Sequence, residues 1–184
     1  MNTNTQTAIF AGGCFWCTEA VFQNIKGVIS ATSGYIGGSM EDANYSKVSS
    51  GKTDHAEAIQ IEFDPQIISY KELLYVFFYT HNPTTLNQQG ADTGTQYRSG
   101  IFYFDDEQKK TIDKVVEELT QEHIFDTEIV TEINPATEFF SAESYHQNYF
   151  RENQDKPYCQ IVIFPKIEKL KAKFLHILKD DRVL

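Results

Sequence analysis

The 184-residue chain has few cysteines, no long apolar run and no excess of positive charge. Its three cysteines, Cys14, Cys17 and Cys159, are too few for a disulfide scaffold, although two of them suffice for a redox pair. No apolar run is long enough to span a bilayer, and the start MNTNTQTA lacks the features of a secretory signal. We therefore expect a cytoplasmic protein without structural disulfides.

Basic residues are also scarce. The formal net charge of −10 at pH 7 argues against general binding to nucleic acids or anionic membranes. The one basic cluster, residues 166–173, also contains Glu168 and apolar residues and is typical of a solvated helix face. We therefore predict neither a nucleic-acid nor a membrane partner.

The length and the apolar patterns predict one α+β domain. We expect a single domain over residues 1–184, with 1–6 as an N-terminal tail and 166–184 as a C-terminal helix and tail. Strand patterns cover 8–11, 28–36, 55–63, 101–104, 125–133 and 157–165; helical patterns cover 69–81, 105–122, 142–153 and 166–178; polar loops cover 39–54 and 82–100. Amphipathic strands favour a mixed or antiparallel sheet with helices packed on it, in a two-layer, ferredoxin-like sandwich.

The stretch TAIFAGGCFWCTEAVF, residues 7–22, carries the strongest chemical signal. The short apolar strand ends at Gly12 and Gly13, and helical spacing begins at Phe15, so Cys14 is expected at a helix N-terminus. Free amide groups and the helix dipole stabilise an anion there, which lowers the pKa of a thiol and makes it a nucleophile. Phe15 and Trp16 would give this sulfur an apolar wall, which suits a substrate with a small apolar group beside a polar one.

Other interpretations of the same residues compete with this one. Cys14 could be a small buried residue at a strand–helix junction. The pair Cys14-x-x-Cys17 supplies half of a zinc site but has no second pair of ligands, and it also fits a thioredoxin-type dithiol. Taken alone, Glu57 reads as a solvent-facing strand residue and Tyr45 as a loop aromatic.

Six segments stand in order between about residue 7 and residue 166: GGCFWCTEAVF, SGYIGG, NYSKVSSGKTDHAEAIQIEFDP, QGADTGTQYRSGIFY, AESYHQNYF and PYCQ. Together they closely resemble the methionine sulfoxide reductase A family. Each segment alone is moderately specific, whereas their number, order and spacing make coincidence a poor explanation. The resemblance implies an enzyme that reduces methionine-S-sulfoxide, free or in oxidised proteins, to methionine.

The resemblance also implies a role for each matching position. Cys14 would attack the sulfoxide sulfur, and Glu57, kept protonated by burial, would protonate the sulfoxide oxygen. Tyr45 and Tyr97 would donate hydrogen bonds to that oxygen, and Asp92 would order the site. The residues that would hold the substrate, with its methyl group against the two aromatic rings, are Gly13, Phe15, Trp16 and His146.

The implied cycle turns Cys14 into a sulfenic acid, condenses it with a second thiol to a disulfide, and regenerates it with thioredoxin. It requires no metal or organic cofactor. Many members carry resolving cysteines in a Gly-rich C-terminal tail, but the tail LHILKDDRVL has none. Cys159 and Cys17 remain as candidates; we favour Cys159, and direct reduction of Cys14 stays open. We expect a monomer whose partners are its substrate and thioredoxin.

Two non-reductase functions stay in competition at this point. One is an electron-carrying dithiol protein built on the Cys14 and Cys17 pair. The other is a binding module whose aromatic pocket recognises methionine side chains. Formation of methionine from its sulfoxide separates the enzyme from both.

Overall fold

A computed structural model describes residues 5–179 of the chain. The predicted tails lie partly outside this range, at residues 1–4 and 180–184. Gln6, which the sequence assigned to the N-terminal tail, begins the first strand instead.

A six-stranded mixed sheet organises the chain. The strands are β1 (Gln6–Gly12), β2 (Val28–Ile36), β3 (Ala56–Phe63), β4 (Gln88–Gln89), β5 (Asp92–Thr93), β6 (Ser99–Tyr103), β7 (Glu132–Pro135) and β8 (Phe139–Ser141). The large sheet has the order β7-β6-β1-β3-β2-β8, and its neighbours are antiparallel except for β6 and β7. Strands β4 and β5 form a separate hairpin. The predicted α+β class with a mixed sheet is confirmed.

Helices bury the larger of two apolar cores against this sheet. They are α1 (Phe15–Gln23), α2 (Tyr45–Val48), α3 (Tyr70–Thr80), α4 (Asp106–Gln121), α5 (Tyr149–Glu152) and α6 (Phe164–Phe174), with a π-helical turn at Cys159–Ile163 before α6. Helix α1 packs against β1, β2 and β3, and α3 packs against β1, α4 and α6. Phe10, Phe22 and Phe77 meet in the larger core, whereas Ile9 and Phe102 belong to a smaller cluster.

Strand β3 lies in the middle of the sheet, between β1 and β2. Ile59, Ile61 and Phe63 are fully buried in the larger core, and Glu57 shares their phase in the alternation of the strand. The prediction of a half-buried strand with Glu57 on its polar side is therefore wrong at this residue, which is only 2% exposed. Glu62, in the opposite phase, is exposed as expected.

Five other segments differ from their predicted structures. The loops predicted at 39–54 and 82–100 contain α2 and the β4–β5 hairpin. Of the strand predicted at 125–133, only the last two residues are extended, in β7, and the residues before them are irregular near the end of α4. The helix predicted at 142–153 shrinks to a 3₁₀ turn, Ser144–His146, and α5. The segment 157–165 is helical rather than extended. Its β-branched residues suggested a strand, but Pro165 stands in the first turn of α6, where a missing N–H costs little.

Helix α3 begins with the capping box that its sequence predicts. The Ser69 hydroxyl accepts a hydrogen bond from the Glu72 N–H (3.2 Å), and the Glu72 carboxylate accepts one from the Ser69 N–H (2.9 Å). Two amide groups that the helix leaves free are thereby satisfied.

The substitution Ser69→Ala should lower the free energy of unfolding by about 1 kcal/mol, because the Glu72 amide loses its acceptor. Urea unfolding measures the change. Ser46→Ala, at an exposed position in α2, serves as the matched control and should shift the free energy by less than about 0.5 kcal/mol. Equal shifts in the two variants would contradict a stabilising role for the cap.

Candidate active site

A tight turn after β1 places Cys14 at the start of α1. Gly13 has φ +88°, and a Cβ atom there would lie 2.5 Å from Cγ of Gln89. Only glycine fits such a position without moving the β4–β5 hairpin. Cys14 follows as the N-cap residue of α1, as the sequence predicts.

Around Cys14 the fold forms a cavity of about 140 Å³. It brings together seven of the residues that the sequence nominates, from both the N-terminal and the central parts of the chain, and adds one residue that it did not. The lining residues are Cys14, Phe15, Trp16, Tyr45, Glu57, Asp92, Tyr97 and Tyr158. Gly13, Cys17, His146 and Cys159, also nominated, lie outside this lining.

The Glu57 carboxyl is buried beside the first turn of α1. Its Oε2 accepts a hydrogen bond from the backbone N–H of Phe15 (3.1 Å). Burial raises the pKa of Glu57 to about 8, against the opposing effect of that hydrogen bond. At neutral pH the group is therefore mostly a neutral acid, which can donate a proton into the cavity.

The Cys14 and Cys17 thiols lie one helical turn apart and titrate as a pair. Burial raises the pKa of the Cys14 thiol, and interaction with the neighbouring Cys17 sulfur raises it further. The same interaction lowers the pKa of Cys17 to about 7. A thiolate is thus available near neutral pH, and Cys17 is the better acid of the two.

The expectation of a lowered pKa at Cys14 is therefore not met in this state. The amide of Phe15, which was expected to stabilise an anion, donates to Glu57 instead. In the part of the chain that the structure describes, α1 gives no capping hydrogen bond to the Cys14 sulfur. Cys14 is also only 8% exposed, so water does not stabilise a negative charge on its sulfur.

Two aromatic residues form an apolar wall next to the sulfur. Phe15 is almost fully buried, and Trp16 is partly exposed. Tyr149 stacks on the indole of Trp16 with ring centres 3.6 Å apart and planes within 6°. The indole Nε1 donates to Nδ1 of His146 (3.1 Å), so His146 supports the wall from behind rather than lining the cavity.

Two phenol groups enter the cavity from different elements. Tyr45 begins α2, where its N–H donates to the Glu143 carboxylate (2.9 Å) and its ring packs on His146. Tyr97 ends the 3₁₀ turn that follows β5. Burial raises the pKa of both tyrosines, so both hydroxyls keep their protons as donors at neutral pH.

Tyr158 is the lining residue that the sequence analysis missed. Its hydroxyl donates to the Asp92 carboxylate (2.9 Å) and lies 3.9 Å from the sulfur of Cys17. Its ring meets Trp16 edge to face. The segment PYCQ, which the resemblance includes, contains this tyrosine directly before Cys159.

Cys159 lies behind this cavity, at the start of the π-helical turn. It is fully buried, and burial raises its pKa. The negative charge of Cys17 adds to this rise, and Cys159 does not line the cavity. All three thiols are free and buried.

Two further properties of residues 5–179 bear on the candidate site. No three His, Cys, Asp or Glu side chains in this range are grouped so as to hold a metal ion. Within the same range, none of the helices has the length and apolar character needed to cross a membrane.

Comparisons with known proteins agree on one family. The family model described as "Peptide methionine sulfoxide reductase" matches residues 6–177. The curated peptide methionine sulfoxide reductase MsrA of Pasteurella multocida is 55% identical and covers 95% of this chain and 99% of its own. Reduced Mxr1 from Saccharomyces cerevisiae is structurally similar, with a TM-score of 0.78 and 35% identity over 86% of this chain and 91% of that chain.

A second structure of the yeast protein, Mxr1 in complex with Trx2, has a TM-score of 0.55 and 26% identity, covering 81% of this chain and 87% of that chain. The matches extend over both the fold and the residues that line the cavity around Cys14. From its sequence and its structure, the chain belongs to the peptide methionine sulfoxide reductase family.

Proposed function

We propose that the protein reduces methionine-S-sulfoxide, free or in oxidised proteins, to methionine with the Cys14 thiol. The observation that carries this proposal is a neutral, buried carboxyl, Glu57, in the same small cavity as a buried cysteine sulfur. A sulfoxide needs both a nucleophile at sulfur and a proton at oxygen. The cavity offers the nucleophile on Cys14 and the proton on Glu57, and the family membership supports the assignment.

The cavity is suited to the two ends of a methyl sulfoxide. Phe15 and Trp16 offer apolar surface to the methyl group. Tyr45, Tyr97 and Glu57 offer three O–H donors to the oxygen, on which negative charge develops as the S–O bond breaks. A volume of about 140 Å³ accommodates a group of this size and excludes large ones.

In the first step the Cys14 sulfur attacks the sulfoxide sulfur while Glu57 passes its proton to the oxygen, and the proton that the Cys14 thiol loses goes to the Glu57 carboxylate. The S–O bond of the substrate breaks, methionine leaves, and the oxygen remains on Cys14 as a sulfenic acid. Methionine sulfoxide gains two electrons and the Cys14 sulfur loses them. Tyr158 keeps Asp92 hydrogen-bonded at the edge of this site, so Asp92 acts by ordering the site.

We further propose that Cys17, rather than Cys159 as the sequence favours, is the first thiol to resolve the sulfenic acid. Cys17 lies one helical turn from Cys14 on α1, and its interaction with the Cys14 thiol lowers its pKa to about 7, so a thiolate is available beside the sulfenic acid. Attack on the Cys14 sulfenic acid, whose hydroxyl takes up a proton from Glu57, releases water and forms the Cys14–Cys17 disulfide. Cys159, whose pKa responds to the charge of Cys17, is the thiol we propose to take over the disulfide by exchange.

Thioredoxin is the proposed external reductant, and the cycle needs no metal or organic cofactor. The complex of yeast Mxr1 with Trx2 supports this choice. The two electrons that leave the protein with methionine are returned by the dithiol of the reductant through thiol–disulfide exchange.

We also propose a single, monomeric catalytic domain that acts in the cytoplasm and has a two-layer, ferredoxin-like core. Support for the core comes from the central strand order β6-β1-β3-β2, all antiparallel, with α1 and α3 as the connecting helices. The negative net charge of −10 supports a partner other than nucleic acid.

Glu57→Gln should slow methionine formation in a single turnover by about 10²- to 10⁴-fold at pH 7, because the amide cannot donate the proton. Since the pKa of Glu57 is about 8, the wild-type rate should fall as pH rises through 8, and the variant should lack this decrease. Glu62→Gln, exposed on the same strand, is the control and should keep the wild-type profile. A decrease near pH 8 that persists in Glu57→Gln would remove the proposed acid.

A single turnover with excess methionine sulfoxide and no reductant should yield about one equivalent of methionine or more, as the stoichiometry of sulfenic acid formation requires. Peptide mapping should then find the Cys14–Cys17 disulfide first in the wild type, and also in Cys159→Ser. Cys17→Ser should still form methionine but accumulate a sulfenic acid that dimedone traps.

Two outcomes of this experiment would contradict the proposals. A disulfide to Cys159 that forms at the wild-type rate in Cys17→Ser would make Cys159 the first resolving thiol. Failure of the reduced wild type to form methionine would favour the dithiol-carrier or the binding-module interpretation.

A further inference from the structure

Glu19 is a buried acid on α1 to which the proposed mechanism gives no role. It is 1% exposed, and it lies on the helix that carries Cys14 and Trp16. Its Oε1 accepts a hydrogen bond from the backbone N–H of Asn148 (3.0 Å), whereas Oε2 has no hydrogen-bond partner among the described residues. Burial of a carboxyl group costs free energy unless hydrogen bonds or opposite charges compensate for the lost water.

The segment held by Glu19 leads directly to the wall of the substrate cavity. Asn148 has φ +56°, a left-handed conformation. Its side-chain oxygen accepts a hydrogen bond from the side-chain amide of Gln23 (2.9 Å). The Tyr149 backbone amide also favours the ionised form of the Glu19 carboxyl, as it lowers the pKa of that group. Tyr149 begins α5, and its ring is the one that stacks on Trp16.

Trp16 depends on this stack for its orientation. One face of the indole is covered by Tyr149, and the indole N–H is fixed by His146. The indole lines the cavity beside Cys14. A shift of the backbone at Asn148 would therefore displace the surface against which we place the methyl group of the substrate.

We propose that Glu19 is a positioning residue for substrate binding: by holding the backbone at Asn148 and Tyr149, it keeps Tyr149 flat against Trp16. This inference rests on the proposed function, because it assigns Trp16 to the substrate-binding wall. Glu19 touches neither the substrate nor the reacting sulfur, and it acts through Tyr149 alone. Its effect should fall on KM rather than on kcat.

The strength of the hydrogen bond between the Asn148 amide and Glu19 depends on the charge of Glu19. Burial raises the pKa of Glu19 to about 7. An ionised carboxylate accepts stronger hydrogen bonds from amides than a neutral acid does. The hydrogen bond from the Asn148 amide to Glu19 therefore weakens as pH falls through 7. The polar and charged groups around Glu19 are Ser33 on β2, the Asn148 and Tyr149 amides, Arg151 on α5, and Lys179, which shares with Glu19 and Arg151 a cavity of about 450 Å³.

The fluorescence of Trp16 tests the inference without turnover, since it is the only tryptophan in the chain. The wild type should show a fluorescence change with a midpoint near pH 7 that is larger than the change Glu19→Gln retains. His146, Cys17 and Glu57 also titrate near Trp16, but they do so in both proteins, so the difference between the two curves isolates Glu19. Identical curves would overturn the proposal.

Kinetics supply the second test. Glu19→Ala should raise KM for methionine sulfoxide about tenfold, the equivalent of one lost hydrogen bond to a charged group, with kcat changed less than about twofold. Tyr149→Leu should have a similar effect, and the double variant should be no worse than either single one. Additive effects, or an equal loss in kcat, would show that Glu19 has only a general structural role.

Glu19→Gln provides the conservative comparison. Its amide oxygen can still accept the Asn148 N–H, so KM should stay within about threefold of the wild type at pH 8, since only the charge assistance is lost. Its KM should not rise between pH 8 and pH 6, unlike that of the wild type. A wild type that forms no methionine would refute the proposed function, while the fluorescence comparison would still decide the role of Glu19.

Discussion

The hydrogen bond from the Phe15 amide to the Glu57 carboxyl joins the first turn of α1 to the central strand β3, and the candidate site depends on it. It fixes the acid beside Cys14, and it uses the amide that would otherwise have stabilised a Cys14 thiolate. The helix N-terminus therefore serves the proton donor rather than the nucleophile. Burial keeps the donor protonated, while the hydrogen bond alone would have favoured its ionised form.

The ionisation of the nucleophile, Cys14, therefore depends on the neighbouring Cys17. Of the two sulfurs of α1, Cys17 is the better acid. Tyr158 lies near this pair and also binds Asp92, so a residue from the C-terminal part of the chain connects the dithiol with the polar edge of the cavity. The arrangement gives each of the two chemical stages, reduction of substrate and formation of the disulfide, its own sulfur.

Local patterns in the sequence predicted what local interactions determine. The strand–Gly-Gly–Cys–helix turn follows from the glycines, and the start of α3 follows from Ser69 and Glu72. The burial of Glu57 was also present in the sequence, since the residue is in phase with Ile59 and Ile61, but an acid in that phase was assigned to the polar side. The helical state of 157–165 and the contact of Tyr158 with Asp92 depend on packing between distant segments, which no local pattern records.

The cavity draws its lining from Cys14 at one end of the sequence and Tyr158 near the other, with Glu57 and Tyr97 between them. During synthesis on a ribosome, the N-terminal sulfur emerges long before the last wall of its cavity has been made. Strand β1 lies between β3 and β6, so even its own pairing waits for the middle of the chain. The nascent protein thus exposes a dithiol that the finished one buries, which makes the interval before release the time when its thiols are most open to unwanted oxidation.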